Sequence, residues 1–254
     1  MAEENTPRKP SGLSRMQRRN RRTFLRSIAV GVTVIGASVL GFFPVLKGWT
    51  KRLRPPGAIH EDEFLAACIK CGQCVQVCPV EAIKLGDLDE GFGVGVPFIQ
   101  ARDQACDFSC DAVQCILACP TGALSHDINK KEEVHMGLAR VSRLDACLAQ
   151  LGKGVKGAAR EQGFMGRLRY AEIDRWVPIK VNDHPYDLDI CDLCERVCPI
   201  EGAIVVKTVG TGADRFGYPE VMEKCVGCGV CEMICPTDPP AIVIDIRETW
   251  KAEA

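Results

Sequence analysis

Apolar and polar positions divide this chain into one long hydrophobic run and many short segments. Residues 27–46 are rich in Val, Ile, Gly and Ala, and about 20 such residues suffice for a helix that spans a bilayer. No later stretch is so continuous. Residues 61–67 predict a short helix, and residues 91–98 a turn and strand running on to Arg102 and Asp103. Residues 127–139 read as helical and polar. Residues 140–146 and 219–224 alternate as extended segments, and residues 241–246 alternate as a strand. The pattern predicts an α+β chain of short strands and short helices.

Cysteine punctuates these segments. Cys225, Cys228, Cys231 and Cys235, with Pro236, form a C-x2-C-x2-C-x3-C-P run, and Cys68, Cys71, Cys74 and Cys78, with Pro79, repeat it. Cys106, Cys110, Cys115 and Cys119, with Pro120, make a looser copy. Cys191, Cys194 and Cys198, with Pro199, begin late, and Leu188 stands where a first cysteine belongs. After each Cys-Pro comes a small residue and then an aliphatic one: Ala82-Ile83, Ala123-Leu124, Ala203-Ile204 and Ala241-Ile242. Such self-similarity marks one structural unit used repeatedly.

An iron–sulfur cube needs four thiolates converging on one object. A short loop wraps three corners, and the fourth cysteine serves a neighbouring cube. Cys147 is the single cysteine outside the four groups, and the gap from Cys119 to Cys147 nearly matches those from Cys78 to Cys106 and Cys198 to Cys225. We therefore expect Cys147 to be the missing first ligand, with residues 148–190 inserted; the competing reading is a half-buried free thiol. The chain's 16 cysteines then fall into four sets of four. Disulfide scaffolds suit cysteine-rich exported chains, but three close cysteines in one loop cannot readily pair among themselves. Zinc sites use paired C-x2-C knuckles rather than a run of four closed by proline.

The chain has 254 residues, net charge −1 and 6% aromatics. That is few aromatics for a conventional core of this size, and metal ligation can supply the folding energy instead. Residues 1–26 hold eight Arg or Lys against two acids. Arg21, Arg22, Thr23, Phe24 and Leu25 resemble a twin-arginine export signal, which suits a protein that must load its clusters before export. A small-x-small cleavage site is not visible in residues 42–49. An uncleaved anchor is favoured, with the basic end in the cytoplasm, and a removed signal is the alternative. Residues 51–60 read as a basic, proline-containing linker.

In the insertion, residues 151–169 carry Lys153, Lys156, Arg160, Arg167 and Arg169 against Glu161, and residues 170–190 carry more acids with Tyr170, Trp176 and Tyr186. Such a loop serves either to dock a redox partner or as a solvated loop with an aromatic latch. The four histidines are scattered. No dinucleotide or phosphate loop, paired carboxylates or nucleophile constellation is visible. No nucleic-acid interface is expected. These exclusions favour an electron carrier over an enzyme.

Arg21 to Leu25, the run Arg52, Leu53, Arg54, Pro55, Pro56, Gly57, Ala58 and Ile59, and the cysteine motifs resemble the ferredoxin-type proteins of the NapG/MauM kind. That resemblance implies a bacterial ferredoxin-like fold of two 2[4Fe–4S] units, four [4Fe–4S] clusters in all, on the periplasmic side. It implies a membrane quinol-oxidising iron–sulfur partner as donor, and a periplasmic acceptor in nitrate reduction or methylamine utilisation. The alternative is a fixed subunit of a larger membrane oxidoreductase. Related four-cluster subunits pair their outer and inner motifs. The implied sets are Cys68, Cys71, Cys74 with Cys235; Cys225, Cys228, Cys231 with Cys78; Cys106, Cys110, Cys115 with Cys198; and Cys147, Cys191, Cys194 with Cys119. The domains expected from that pairing are 1–50 (signal or anchor), 51–60 (linker), 61–100 plus 215–246 (outer unit), 101–214 (inner unit) and 247–254 (tail). Pairing of consecutive motifs is the alternative.

Overall fold

The computed structural model describes residues 15–46, 51–87 and 93–246. The tail 247–254, residues 1–14, residues 47–50 and the start of the turn predicted at 91–98 lie outside the described residues. Helix α1 (Arg15–Leu46) starts before the apolar run and carries Arg21 and Arg22. Its stretch Asn20–Gly41, 22 residues of mean hydropathy 1.8, is long and apolar enough to cross a membrane. At about 1.5 Å per residue that stretch is some 33 Å long, against a hydrocarbon core of about 30 Å. Its hydroxyls turn inward: Ser27 donates to Thr23 O at 3.0 Å, Thr33 to Ala29 O at 2.8 Å and Ser38 to Val34 O at 2.9 Å. No polar side-chain group of those three then needs water. This helix is a unit separate from the rest of the chain.

In the second unit each motif builds one short helix. These are α3 (Gln73–Gln76), α4 (Gln114–Leu117), α5 (Leu193–Arg196) and α6 (Val230–Ile234), following α2 (Glu61–Ala67). The third cysteine of each motif sits in the helix and the fourth just beyond its end. The proline that follows cannot donate an N–H to continue the helix. Gly229 opens α6 at φ +92°, and a Cβ there would come within 2.6 Å of Ala101 Cβ, so the left-handed turn and the close approach both require glycine.

The strands decide which motifs belong together. β1 (Ile83–Leu85) follows the first motif and pairs antiparallel with β2 (Pro97–Ile99), which leads to the second. Ala58, ahead of the first motif, bridges Leu124, just after the second. The later half repeats this plan. β8 (Ile204–Val209) follows the third motif and pairs with β9 (Phe216–Val221), which leads to Cys225. β3 (Leu138–Val141), ahead of Cys147, pairs with β10 (Ile242–Asp245), after the fourth motif. Consecutive motifs are therefore neighbours, which corrects the outer and inner pairing and the domain division drawn from it. Short returns such as 210–215 close two strands at little entropy cost. The near-equal gaps between motifs did not distinguish the two schemes.

Two further expectations are corrected. Residues 127–139 are not helical beyond one 3-10 turn (Lys131–Glu133); Val134, Met136 and Ala139 are buried and the segment extends into β3. Residues 51–60 are no solvated linker. Leu53 is buried and bridges Ile99, and Gly57, at φ +78°, has no room for a Cβ beside Ile116. Arg54 donates to both carboxylate oxygens of Glu61, at 3.0 and 2.7 Å, and to Pro97 O at 2.9 Å. The two side chains are 8% and 17% exposed, so removing one leaves a buried charge unmatched. Arg54→Ala is expected to destabilise the fold by about 3 kcal/mol. A denaturant midpoint measured on the detergent-solubilised protein checks this.

The insertion folds as two hairpins, β4 (Val155–Gly157) with β7 (Tyr186–Leu188) and β5 (Arg167–Tyr170) with β6 (Asp174–Lys180). Gly154 runs so close to Leu188 O that no Cβ fits. The latch is Tyr170 and Tyr186, whose hydroxyls meet at 3.0 Å, with His184 stacked on Tyr170 at 4.0 Å. Trp176 is exposed. Two of the basic residues tie to backbone: Arg160 donates to Met233 O at 2.6 Å and Arg169 to Ser109 O at 2.6 Å. Lys156 pairs instead with Asp187 at 2.9 Å and Arg167 with Glu81 at 3.7 Å. The Gln104 amide donates to the backbone Arg167 O at 2.9 Å. The insertion thus fastens residues 102–109 to the second half.

Candidate metal centres

Three apolar hollows are each lined by four cysteines: Cys68, Cys71, Cys74 and Cys119; Cys198, Cys225, Cys228 and Cys231; and Cys147, Cys191, Cys194 and Cys235. The remaining four form the last group. Cys115 feels the charges of Cys110 and Cys78, Cys106 that of Cys115, and Cys78 that of Cys110. We label the groups centre A (Cys68, Cys71, Cys74, Cys119), B (Cys78, Cys106, Cys110, Cys115), C (Cys198, Cys225, Cys228, Cys231) and D (Cys147, Cys191, Cys194, Cys235). Each takes three cysteines from one motif and the fourth from its partner. Cys119 lies in the first set and Cys235 in the set of Cys147, the reverse of the outer and inner scheme.

All the cysteines are free thiols. Among the described residues no three Cys, His, Asp or Glu side chains close up into a single-ion site. A zinc ion would draw its sulfurs to about 2.3 Å, whereas a cube's larger body holds them apart. Burial, then Cys68 and Cys71, push Cys74 up to about 11; burial, then Cys147 and Cys235 among the charges, push Cys191 up to about 11. Burial also raises Cys106, Cys115, Cys194, Cys228 and Cys231. Grouped thiols that resist ionisation without a cation are suited to a metal cluster, whose positive irons stabilise the thiolates. The donor set fits iron–sulfur cubes.

The turn after each Cys-Pro aims N–H groups at the fourth sulfur. Ala82 N lies 3.3 Å from Cys78 Sγ, and Ala241 N 3.4 Å from Cys235 Sγ. At Cys119 burial opposes ionisation, but the Leu124, Thr121 and Ala123 N–H groups and the Thr121 hydroxyl outweigh it and lower the thiol. The centres form a connected row. Cys115 of B feels Cys74 of A, Cys106 of B feels Cys228 of C, and Cys231 of C feels Cys194 of D. B and C touch directly, Cys106 N donating to Cys228 O at 3.4 Å. Cys71 of centre A is exposed, while Cys225, Cys228, Cys231 and Cys235 are buried.

Sequence reasoning missed the polar groups around Cys235. Thr237 Oγ1 lies 3.3 Å from its sulfur. Arg102, from the first half, donates to Glu232 O, Cys235 O and Thr237 O, each at 2.8 Å. Threonine stands two places after the fourth cysteine in two motifs, at Thr121 and Thr237, and that recurrence could have drawn attention to Thr237; nothing local marked Arg102.

This fold and these cysteine sets define a ferredoxin-type iron–sulfur protein of mixed helix and strand. A family model described as a 4Fe-4S dicluster domain matches residues 67–123 and 189–238, each span covering neighbouring motifs. The chain is 34% identical over 232 residues to the ferredoxin-type protein NapG of Escherichia coli strain K12, covering 88% of this chain and 84% of that one. It is 35% identical over 224 residues to the methylamine utilization ferredoxin-type protein MauM of Methylorubrum extorquens, covering 87% and 85%. It is 31% identical over 256 residues to the MauM of Methylobacillus flagellatus, covering 98% and 92%. The chain belongs to the NapG and MauM family of ferredoxin-type electron-transfer proteins. No solved structure matches it.

Proposed function

We propose that the 16 cysteines hold four [4Fe–4S] clusters, one in each of centres A to D, and that each half is a two-cluster ferredoxin-like unit. The protein relays electrons from a membrane quinol-oxidising iron–sulfur partner to a periplasmic acceptor of the nitrate or methylamine type. Residues 27–46 anchor it after export by the twin-arginine route. The observation that carries this reading is the unbroken row of four-cysteine groups, with B and C in backbone contact across the two halves.

Clusters held by these cysteines would supply one-electron chemistry. The chain supplies the rest. Cysteines fix each corner, buried aliphatic side chains exclude water, and backbone N–H groups steady the charge on the sulfurs. Anaerobically prepared protein should take up and return about one electron per cube reversibly. Membrane vesicles carrying the donor should reduce it when quinol is added. Irreversible or absent reduction would contradict a carrier and favour a structural role for the clusters.

A further inference from the structure

The four positions that follow Cys-Pro differ in one chemical respect. They are Val80 in the turn of Cys78, Thr121 in that of Cys119, Ile200 in that of Cys198 and Thr237 in that of Cys235. Val80 and Ile200 are buried aliphatics with no donor to offer. Thr121 Oγ1 lies 3.8 Å from Cys119 Sγ, and Thr237 Oγ1 3.3 Å from Cys235 Sγ. The hydroxyls therefore serve centres A and D, the two ends of the row, and the aliphatics serve B and C in its middle.

Other charges sort the same way. A cube on four thiolates is anionic, and reduction adds to that charge. Water, hydrogen-bond donors and cations favour the reduced form; burial and nearby anions oppose it. At D the Arg102 guanidinium holds the backbone around Cys235, and its weak partner Asp238, 3.9 Å away, is almost fully exposed. At A, Cys71 is open to solvent. Between B and C lies the Asp107 carboxylate, close to both Cys106 and Cys228. It accepts N–H bonds from Ser109 at 3.0 Å and Arg169 at 3.1 Å. B and C also have an anionic neighbour on each side, whereas A and D have one. Lys131, which donates to Pro199 O at 2.6 Å beside Cys198, acts in the opposite sense at C. The Arg169 guanidinium, which donates to Ser109 O at 2.6 Å beside Cys110, acts in that sense at B. These cations stand against Asp107 and two neighbouring cubes at each inner centre.

We infer that the end centres A and D have higher reduction potentials than the inner centres B and C, with Thr237 and Arg102 raising D. Electrons then rest at the two ends of the row, of which centre A opens to solvent at Cys71, and cross the middle only in transit. This rests on the proposal of four clusters.

The test is a redox titration of the whole, cluster-loaded protein followed by EPR, with iron counted first on the same sample. The first two electrons should give two uncoupled spectra, because centres B and C stand between the reduced cubes in the row. Split, coupled spectra should arise only on deeper reduction. Thr237→Val should lower the midpoint of one early step, the step missing in Cys194→Ala, and Thr237→Ser should restore it. Coupled spectra from the first electrons, or a Thr237→Val midpoint unchanged with all irons present, would overturn the inference. A sample short of iron in the parent protein would overturn the four-cluster reading itself.

Discussion

Stripping iron from the folded protein with a chelator under anaerobic, reducing conditions should unfold residues 51–246. The core of this unit is assembled around sulfur. Cys74, Cys106, Cys115, Cys147, Cys191, Cys225, Cys228, Cys231 and Cys235 are all buried, and all but Cys106 and Cys115 border hollows that protein atoms do not fill. Its sheets are all two-stranded among the described residues, and such hairpins are at best marginal without something to pack on. Structural metal contributes roughly 10–16 kcal/mol in small metal-dependent domains, more than the whole stability of most domains at about 5–15 kcal/mol. Near-ultraviolet circular dichroism and limited proteolysis read the result. A chelated chain that keeps a cooperative melt would show that the fold stands on side-chain packing alone.

Single and double cysteine variants should lose iron in a pattern that reports the grouping. Cys71→Ala and Cys119→Ala damage the same centre, so the double variant should lose no more iron than the worse single variant. Cys119→Ala and Cys147→Ala damage centres A and D, so their losses should add, as separate sites do. Outer and inner pairing predicts the reverse, because it places Cys119 with Cys147. Iron per chain, measured on anaerobically purified variants, decides between them, with losses of about one cube or about two.

The motif-level structure was legible in the sequence because it is local. The C-x2-C-x2-C-x3-C-P spacing implies a loop, one helical turn and a stop. The strand at 242–245 follows from plain alternation. Gap lengths single out Cys147 as the expected first ligand, and the structure sets it on the hollow of Cys191, Cys194 and Cys235. The grouping of motifs was not legible, because it depends on which strands hydrogen-bond, and the 242–245 strand offers no sign that its partner is 138–141. Residues 51–60 misled through composition: arginine and proline suggest solvent, but Arg54 is matched by Glu61 seven positions later. The insertion's basic residues misled similarly. Arg160 and Arg169 look like a surface for a partner, yet they cap backbone carbonyls of the protein's own two halves. Long-range polar ties of this kind leave no periodic trace.

The central claim is that four sets of four thiols each hold a cube. Iron and acid-labile sulfide, measured per chain on anaerobically purified full-length protein, test it most directly. About sixteen of each is the predicted result. Markedly fewer irons, or sulfurs recovered as disulfides, would contradict it.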